Sequence, residues 1–361
     1  MNETKLHIQN FKCFIDIEIL LKNLTVFIGP NSTGKSSILQ SIVLYLQGAN
    51  RADDCDKASI SLYHDMGYDM GVVESLLNAT SSKKQINIGV GRDNLRIDID
   101  AQLTKLSDVL IANIKKKEIT YSYLCAERIG PRNVIEYHKS SNCGVHGEYT
   151  AYVIASSSES VVAPERWFDS EKPGFFSVQL DNWLNFIFPG TKIKVDQHFN
   201  KVAQISMQQG GTWRLPTHLG FGMSYALPII TDGLTLSQDA WFVVENPEAH
   251  LQPKAQTQIG YFLAQMADAG IRVVMETHSE HVLEGIIAYK KSKEGLIGDD
   301  FCSLYMVYRG KGSNEPKIEL KKIENKNIQG KDFPSDFFAY TADTLLKEKS
   351  ETSKMLDNFG L

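Results

Sequence analysis

The segment LTVFIGPNSTGKSSILQSIVLYL, residues 24–46, holds a strand, a glycine loop and a helix in that order. Leu24, Val26 and Ile28 alternate as a buried strand would, and Ile38, Leu39, Ile42, Val43 and Leu46 recur at helical spacing. Between them Gly29, Gly34, Lys35 and Ser36 satisfy G-x-x-x-x-G-K-[ST], with Pro30, Asn31, Ser32 and Thr33 filling the loop and Ser37 following it. In such a loop main-chain N–H groups cradle phosphates, the lysine reaches the outer phosphates and the hydroxyl ligates Mg²⁺. The N-terminus of the helix behind it favours an anion at the same place. A glycine-rich turn that binds nothing is the alternative, and the flanking strand and helix weigh against it.

Composition narrows the remaining choices. The chain has 361 residues, 42% of them hydrophobic, enough for one large or two ordinary domains. A formal net charge of −5 gives no global basic field, so nucleic acid would have to meet a local patch. Cysteines at 13, 55, 125, 143 and 302 form no C-x-x-C pair and no metal-ligand spacing, and are expected to be free thiols in a reducing compartment. The start, MNETKLHIQNF, lacks the layout of a signal peptide, and no apolar run reaches the roughly 18 residues of a membrane span. A cytoplasmic protein with no membrane partner is expected.

Residues 5–11 and 14–20 alternate as paired strands ahead of the loop. Residues 47–82 are polar and read as an insertion with at most one short helix near 72–77. Residues 85–90 and 95–99 read as a hairpin turning at 91–94, and 101–115 as a helix. A strand at 118–124 runs into AERIGPR, 126–132, where Arg128 and Arg132 either meet phosphate or a partner, or pair with Glu127. Residues 142–150 and 155–165 read as loop, and 175–188 as a helix ended by Pro189 and Gly190. Residues 192–198, 202–208 and 212–215 read as a small antiparallel meander.

Farther on, LGFGMSYALPII (219–230) opens with Gly220 and Gly222 and continues as a helix expected to break at Pro228. The apolar run 241–244 ends in Glu245, Asn246, Pro247 and Glu248. A buried strand delivering carboxylates, behind a P-loop, is the Walker B arrangement: one acid serves Mg²⁺ and another polarises the attacking water. A helix at 254–267 leads to a strand at 271–275 and then to Glu276, Thr277, His278 and Ser279. His278 there can reach a γ-phosphate; the alternative is a capping Thr or Ser with an incidental histidine. Zinc on His278 and His281 is a poorer reading, because H-E-x-x-H is absent. Residues 301–308 and 318–322 read as a strand pair and 334–347 as a closing helix.

In this order, GPNSTGKSS, LGFGMSYALPI, VVENPEAHLQP and METHSEHVLEGI resemble the P-loop, signature, Walker B with D-loop, and switch-histidine segments of ATP-binding-cassette ATPases. Within that group the chain resembles the branch of the structural-maintenance-of-chromosomes and overcoming-lysogenization-defect proteins. AERIGPR, GEYT, ENPEAHLQP and ETHSEHVLEGI bring it closer to stand-alone bacterial ATPases of that branch, some of which serve in phage defence. The resemblance implies an α/β fold: an ABC-type P-loop NTPase head with a mixed β-sheet, flanking helices and an antiparallel β subdomain. One head would span 1–361, with an N-terminal lobe at 1–135 (insertion 47–82), a middle region at 136–216 and a C-terminal lobe at 217–361.

It also implies ATP and Mg²⁺ as cofactors, sandwiched between two heads of a homodimer. Lys35 and Ser36 would be the phosphate and Mg²⁺ residues, Glu245 would replace the Walker B aspartate on Mg²⁺, and His278 would be the switch histidine. Gly220, Gly222 and Ser224 would face the partner's nucleotide, although the usual signature serine is displaced. Asn246 stands where the catalytic glutamate is usual, and an amide cannot take a proton from water. Glu248 near the water, or Glu245, would have to act instead, or hydrolysis is slow and ATP works as a switch. The expected function is an ATPase that dimerises on ATP and regulates a protein effector encoded nearby, in antiphage defence. The alternative is a DNA-repair or DNA-end-sensing ATPase that binds DNA directly.

Overall fold

In the computed structural model the alternating N-terminal residues form a hairpin, β1 (Thr4–Phe11) against β2 (Phe14–Leu21), with Leu6, Ile8, Ile19 and Leu21 buried. β3 (Leu24–Ile28) is buried at every position and hands the chain through the glycine loop to α1 (Lys35–Arg51). β4 (Lys57–Ser61), β5 (Gln85–Val90), β6 (Asp93–Asp98) and β7 (Val109–Asn113) extend the hairpin into an antiparallel sheet of order β2-β1-β5-β6-β7-β4. After β8 (Tyr121–Leu124) come β9 (Ile135–Glu136), α2 (Thr150–Ser157) and α3 (Phe176–Ile187). A small antiparallel sheet follows, with β10 (Lys192–His198), β11 (Val202–Gln209) and β12 (Thr212–Arg214), and with β9 also on β11. The remainder is α4 (Phe221–Thr235), β13 (Trp241–Glu245), α5 (Pro253–Asp268), β14 (Arg272–Thr277), α6 (Glu280–Ser292), β15 (Cys302–Arg309) and β16 (Pro316–Lys321).

The structure describes residues 4–63, 70–100, 109–168, 170–198, 202–218, 220–293, 301–310 and 315–321. These lie in one compact unit, 1–323; a second unit, 324–361, and with it the helix expected at 334–347, lies outside the described residues.

The sheet that carries the site has the order β16-β15-β3-β14-β13-β8. β15, β3, β14, β13 and β8 run parallel and only β16 is antiparallel. Parallel strands need cover on both faces, which is why β3 and β13 are continuous apolar runs rather than alternating ones. α1 packs on β13 and β14 of this sheet and on β1, β4, β5 and β6 of the antiparallel one. Being clasped between two sheets, it is buried without a break from Ile38 to Ala49, so it shows little of the polar face of a surface helix. α4 and α5 pack on β13, β8, β14 and β3.

Several sequence expectations are corrected here. The stretch at 47–82 holds the expected short helix, at Val73–Leu76, but more besides: α1 continues to Arg51, and β4 pairs with β7. Only Ala58 and Ile60 of β4 are buried, too few to signal a strand before its partner is known. A helix was expected over 101–115, yet β7 occupies part of it, since Leu110 and Ala112 alternate inward toward the sheet; residues 101–108 lie outside the described set. The loop reading of 142–150 and 155–165 misses α2, two turns held by burial of Ala151, Val153 and Ile154. The hairpin turn is tighter than expected, because Val90 pairs with Asp93 and leaves only Gly91 and Arg92 between. α4 does not break at Pro228: burial from Ala226 to Leu234 holds it through the missing N–H donor.

Candidate functional site

Ligands of open α/β sheets sit beyond the carboxyl ends of the strands. Here β3, β13 and β14 end side by side, with Glu245 in register with Glu276, and Thr277 with Ile28. The glycine loop closes this end. Gly29 takes φ 144°, and a Cβ on it would stand 2.0 Å from the Val307 carbonyl oxygen of β15. Gly34 takes φ 103°, with Cys13 Sγ 2.7 Å from where its Cβ would be. Neither position tolerates a side chain, which accounts for both glycines of the motif.

The cleft so formed measures about 350 Å³ and is lined by Ser32 to Ser37, Glu245, Asn246, Glu276 and His278. Lys35, 4% exposed, donates from Nζ to the carbonyl oxygens of Gly29 (3.0 Å) and Pro30 (2.7 Å). Burial lowers its pKa, while Glu276 and Glu248 oppose that shift. Ser36 Oγ donates to Glu276, 2.9 Å from Oε1 and 3.0 Å from Oε2. Burial, then the neighbouring Glu245, push the Glu276 carboxyl up to about 7, against the pull of Ser36 and Lys35. Glu245 accepts from Tyr123 Oη (2.9 Å) and the Ala126 amide (3.1 Å), and burial raises its pKa as well.

Asn246 sits at φ 42°, its main-chain amide bonded to the Glu276 carbonyl at 3.1 Å, and its buried Oδ1 has no hydrogen-bond partner among the described residues. His278 reaches into the cleft from the end of β14; desolvation and the Lys35 charge bring its pKa down to about 4, so it is a neutral imidazole at pH 7. The capping alternative also holds, but on the next residue: Ser279 Oγ accepts from the His281 and Val282 amides and starts α6. His281 turns to Glu284 at 3.1 Å, and among the described residues no group of three or more His, Cys, Asp or Glu could hold a metal.

Glu248, expected near the attacking water, is held by the tip of β14. Its Oε2 accepts from Thr277 Oγ1 at 2.7 Å and its Oε1 from the His278 amide at 2.8 Å, so it ties the loop after β13 to the tip of β14. Arg128 is 2% exposed and donates to the carbonyl oxygens of Cys125, Glu245 and Asn246, so it binds the β8 turn to the end of β13. Arg132 is exposed on the same tip. Gly220 and Gly222 are not in the P-loop cleft but line a separate cavity of about 340 Å³ with His250 and Leu251; Ser224 lies a turn into α4, half-buried. Residues missed from the sequence also border the P-loop cleft, namely Glu276, Lys12, Cys13 and Arg309. Glu276 stood inside a quoted motif, whereas nothing local marks Arg309.

Two sequence-family profiles match the chain. Residues 1–160 match one described as "AAA ATPase domain", and residues 185–284 one described as "AAA domain, putative AbiEii toxin, Type IV TA system". No curated protein matches the sequence. Among solved structures, the chain is similar to the Smc head bound to the C-winged helix domain of ScpA, at 12% identity and TM-score 0.55, covering 89% of this chain and 98% of that one. It is likewise similar to the Pyrococcus furiosus Smc head with an extended coiled coil bound to the C-terminal domain of ScpA, at 10% identity and TM-score 0.56, covering 89% and 96%. The fold is that of SMC-head P-loop NTPases, and the profiles support a nucleotide-binding ATPase. Among the described residues no helix is long and apolar enough to cross a membrane.

Proposed function

We propose that the chain binds ATP with Mg²⁺ in the P-loop cleft, pairs with a second copy when ATP is bound, hydrolyses it slowly and signals its state to a protein effector. The observation that carries this is the convergence of Lys35, Ser36, Asn246, Glu276 and His278, from three separate segments, on one cleft at the carboxyl end of a parallel sheet. The donor set suits Mg²⁺, which prefers hard oxygen ligands and takes few from protein when phosphates supply the rest. Ser36 and a strand-tip carboxylate would hold the ion, which supplies charge neutralisation at the β- and γ-phosphates.

Lys35 exchanges its two carbonyl partners for phosphate oxygens, and neutral His278 offers an N–H to the γ-phosphate. Asn246 can orient a water but not deprotonate it, and both oxygens of Glu248 already accept hydrogen bonds from the tip of β14, which favours slow turnover. The cavity at Gly220, Gly222 and His250 lies apart from the P-loop cleft, which suits a signature offered to the nucleotide of another copy. An effector-linked role in antiphage defence draws support from the toxin named in the description of the profile matching 185–284. The test is purification from the native operon with ATP and Mg²⁺, followed by mass measurement. A stoichiometric second protein with toxic-effector motifs is the expected result; a bare homodimer whose turnover rises on adding DNA would replace the effector reading with a DNA-acting one.

A further inference from the structure

The carboxylate that touches the P-loop hydroxyl is not the one at the end of the Walker B strand. Glu245 and Glu276 leave neighbouring parallel strands in register, and the Asn246 amide bonds the Glu276 carbonyl, so the two tips are fixed relative to each other. Their surroundings differ. Glu245 is occupied by Tyr123 and the Ala126 amide, both from β8 and the turn beyond it, which lies on the side of β13 away from the P-loop. Glu276 stands on β14, the strand next to the P-loop strand, and both of its oxygens accept from Ser36.

Mg²⁺ holds oxygen at about 2.0–2.1 Å in a near-ideal octahedron, so two adjacent ligands stand about 2.9 Å apart. The 2.9 and 3.0 Å from Ser36 Oγ to the Glu276 oxygens match that edge. An ion could take both groups as they stand, with the Ser36 proton turning from Glu276 to a phosphate oxygen and no covalent bond changing.

We propose that Glu276, rather than Glu245, is the acid that ligates Mg²⁺ beside Ser36, and that Glu245 is a positioning residue held off the ion by Tyr123 and Ala126. The assignment rests on the ATP-binding reading above. It is tested by titrating a fluorescent ATP analogue into wild type, Glu276→Gln and Glu245→Gln, in EDTA and in excess Mg²⁺. Glu276→Gln is expected to bind as wild type does in EDTA but to lose about tenfold or more of the Mg²⁺-dependent gain, while Glu245→Gln keeps that gain. Retention of the gain in Glu276→Gln, or its loss in Glu245→Gln, overturns the assignment while leaving ATP binding intact. A wild type that binds no analogue in either condition overturns the nucleotide reading itself and the assignment with it. Glu276→Asp serves as a second variant that keeps the charge. Its arm is one methylene shorter, so the larger Mn²⁺ is expected to restore binding better than Mg²⁺, and equal loss with both ions counts against ligation.

Discussion

The Lys35 ammonium is buried and held by two main-chain carbonyls, so its charge is already positioned over the loop before any phosphate arrives. Removing it leaves those carbonyls to water and the phosphates without a cation. Lys35→Ala is expected to weaken ATP binding about 100-fold, read by fluorescence titration, on the scale of a lost charged hydrogen bond. Asn246 is a second residue-scale case. Its left-handed backbone suits Asn or Asp, and its Oδ1 is buried at the cleft without a partner among the described residues. Asn246→Asp therefore fits the same backbone while adding a proton acceptor, and single-turnover hydrolysis is expected to rise about 100-fold. An unchanged rate would place the base elsewhere. At this scale residue types spoke plainly for Lys35 and Ser36, but Glu276 was passed over because its partner lies 240 positions away.

Among the elements, the tip of β14 depends on a residue of another segment. Glu248 accepts from Thr277 and from the His278 amide, so Glu248→Ala leaves two donors unmatched and frees the histidine. A loss of about 1–3 kcal/mol in denaturant unfolding is expected. α4 is joined to the sheet by fully buried Asp232, which accepts from Ser122 Oγ at 2.6 Å and the Cys143 amide at 2.9 Å. Burial lifts its carboxyl from an ordinary 3.8 to about 6, outweighing those two bonds. The folded state thus keeps a proton that the unfolded chain has released. This contribution is full below about pH 3.8 and is lost as pH rises through about 6. Asp232→Asn should flatten the fall in urea midpoint over that window; an unchanged slope would assign it to other groups.

For the whole molecule, the decisive question is whether one copy completes the nucleotide site of another. Gly220 offers a clean probe, because a Cβ there meets nothing within 4 Å among the described residues and its φ of −68° suits any residue. Gly220→Glu is expected to leave ATP affinity unchanged and to abolish ATP-dependent doubling of mass in light scattering. Doubling that survives would remove Gly220 from the interface. Gly222 would be a poor choice, since a Cβ there would stand 2.8 Å from the His250 carbonyl oxygen and disturb the fold itself.

Local chemistry alone determined the strand–loop–helix at 24–46, the buried strand ending in Glu245 and the hairpin of β1 and β2. Each signal there is a periodicity or a backbone demand contained within a few residues. Tertiary structure alone decided the rest. β4 and β7 are strands because they pair with each other, and α4 passes Pro228 because its surroundings bury it. Glu276 meets Ser36 because β14 lies between β3 and β13, and Glu248 is drawn to the tip of that same strand. Sheet order is a property of contacts distant in the chain, and no local window carries it.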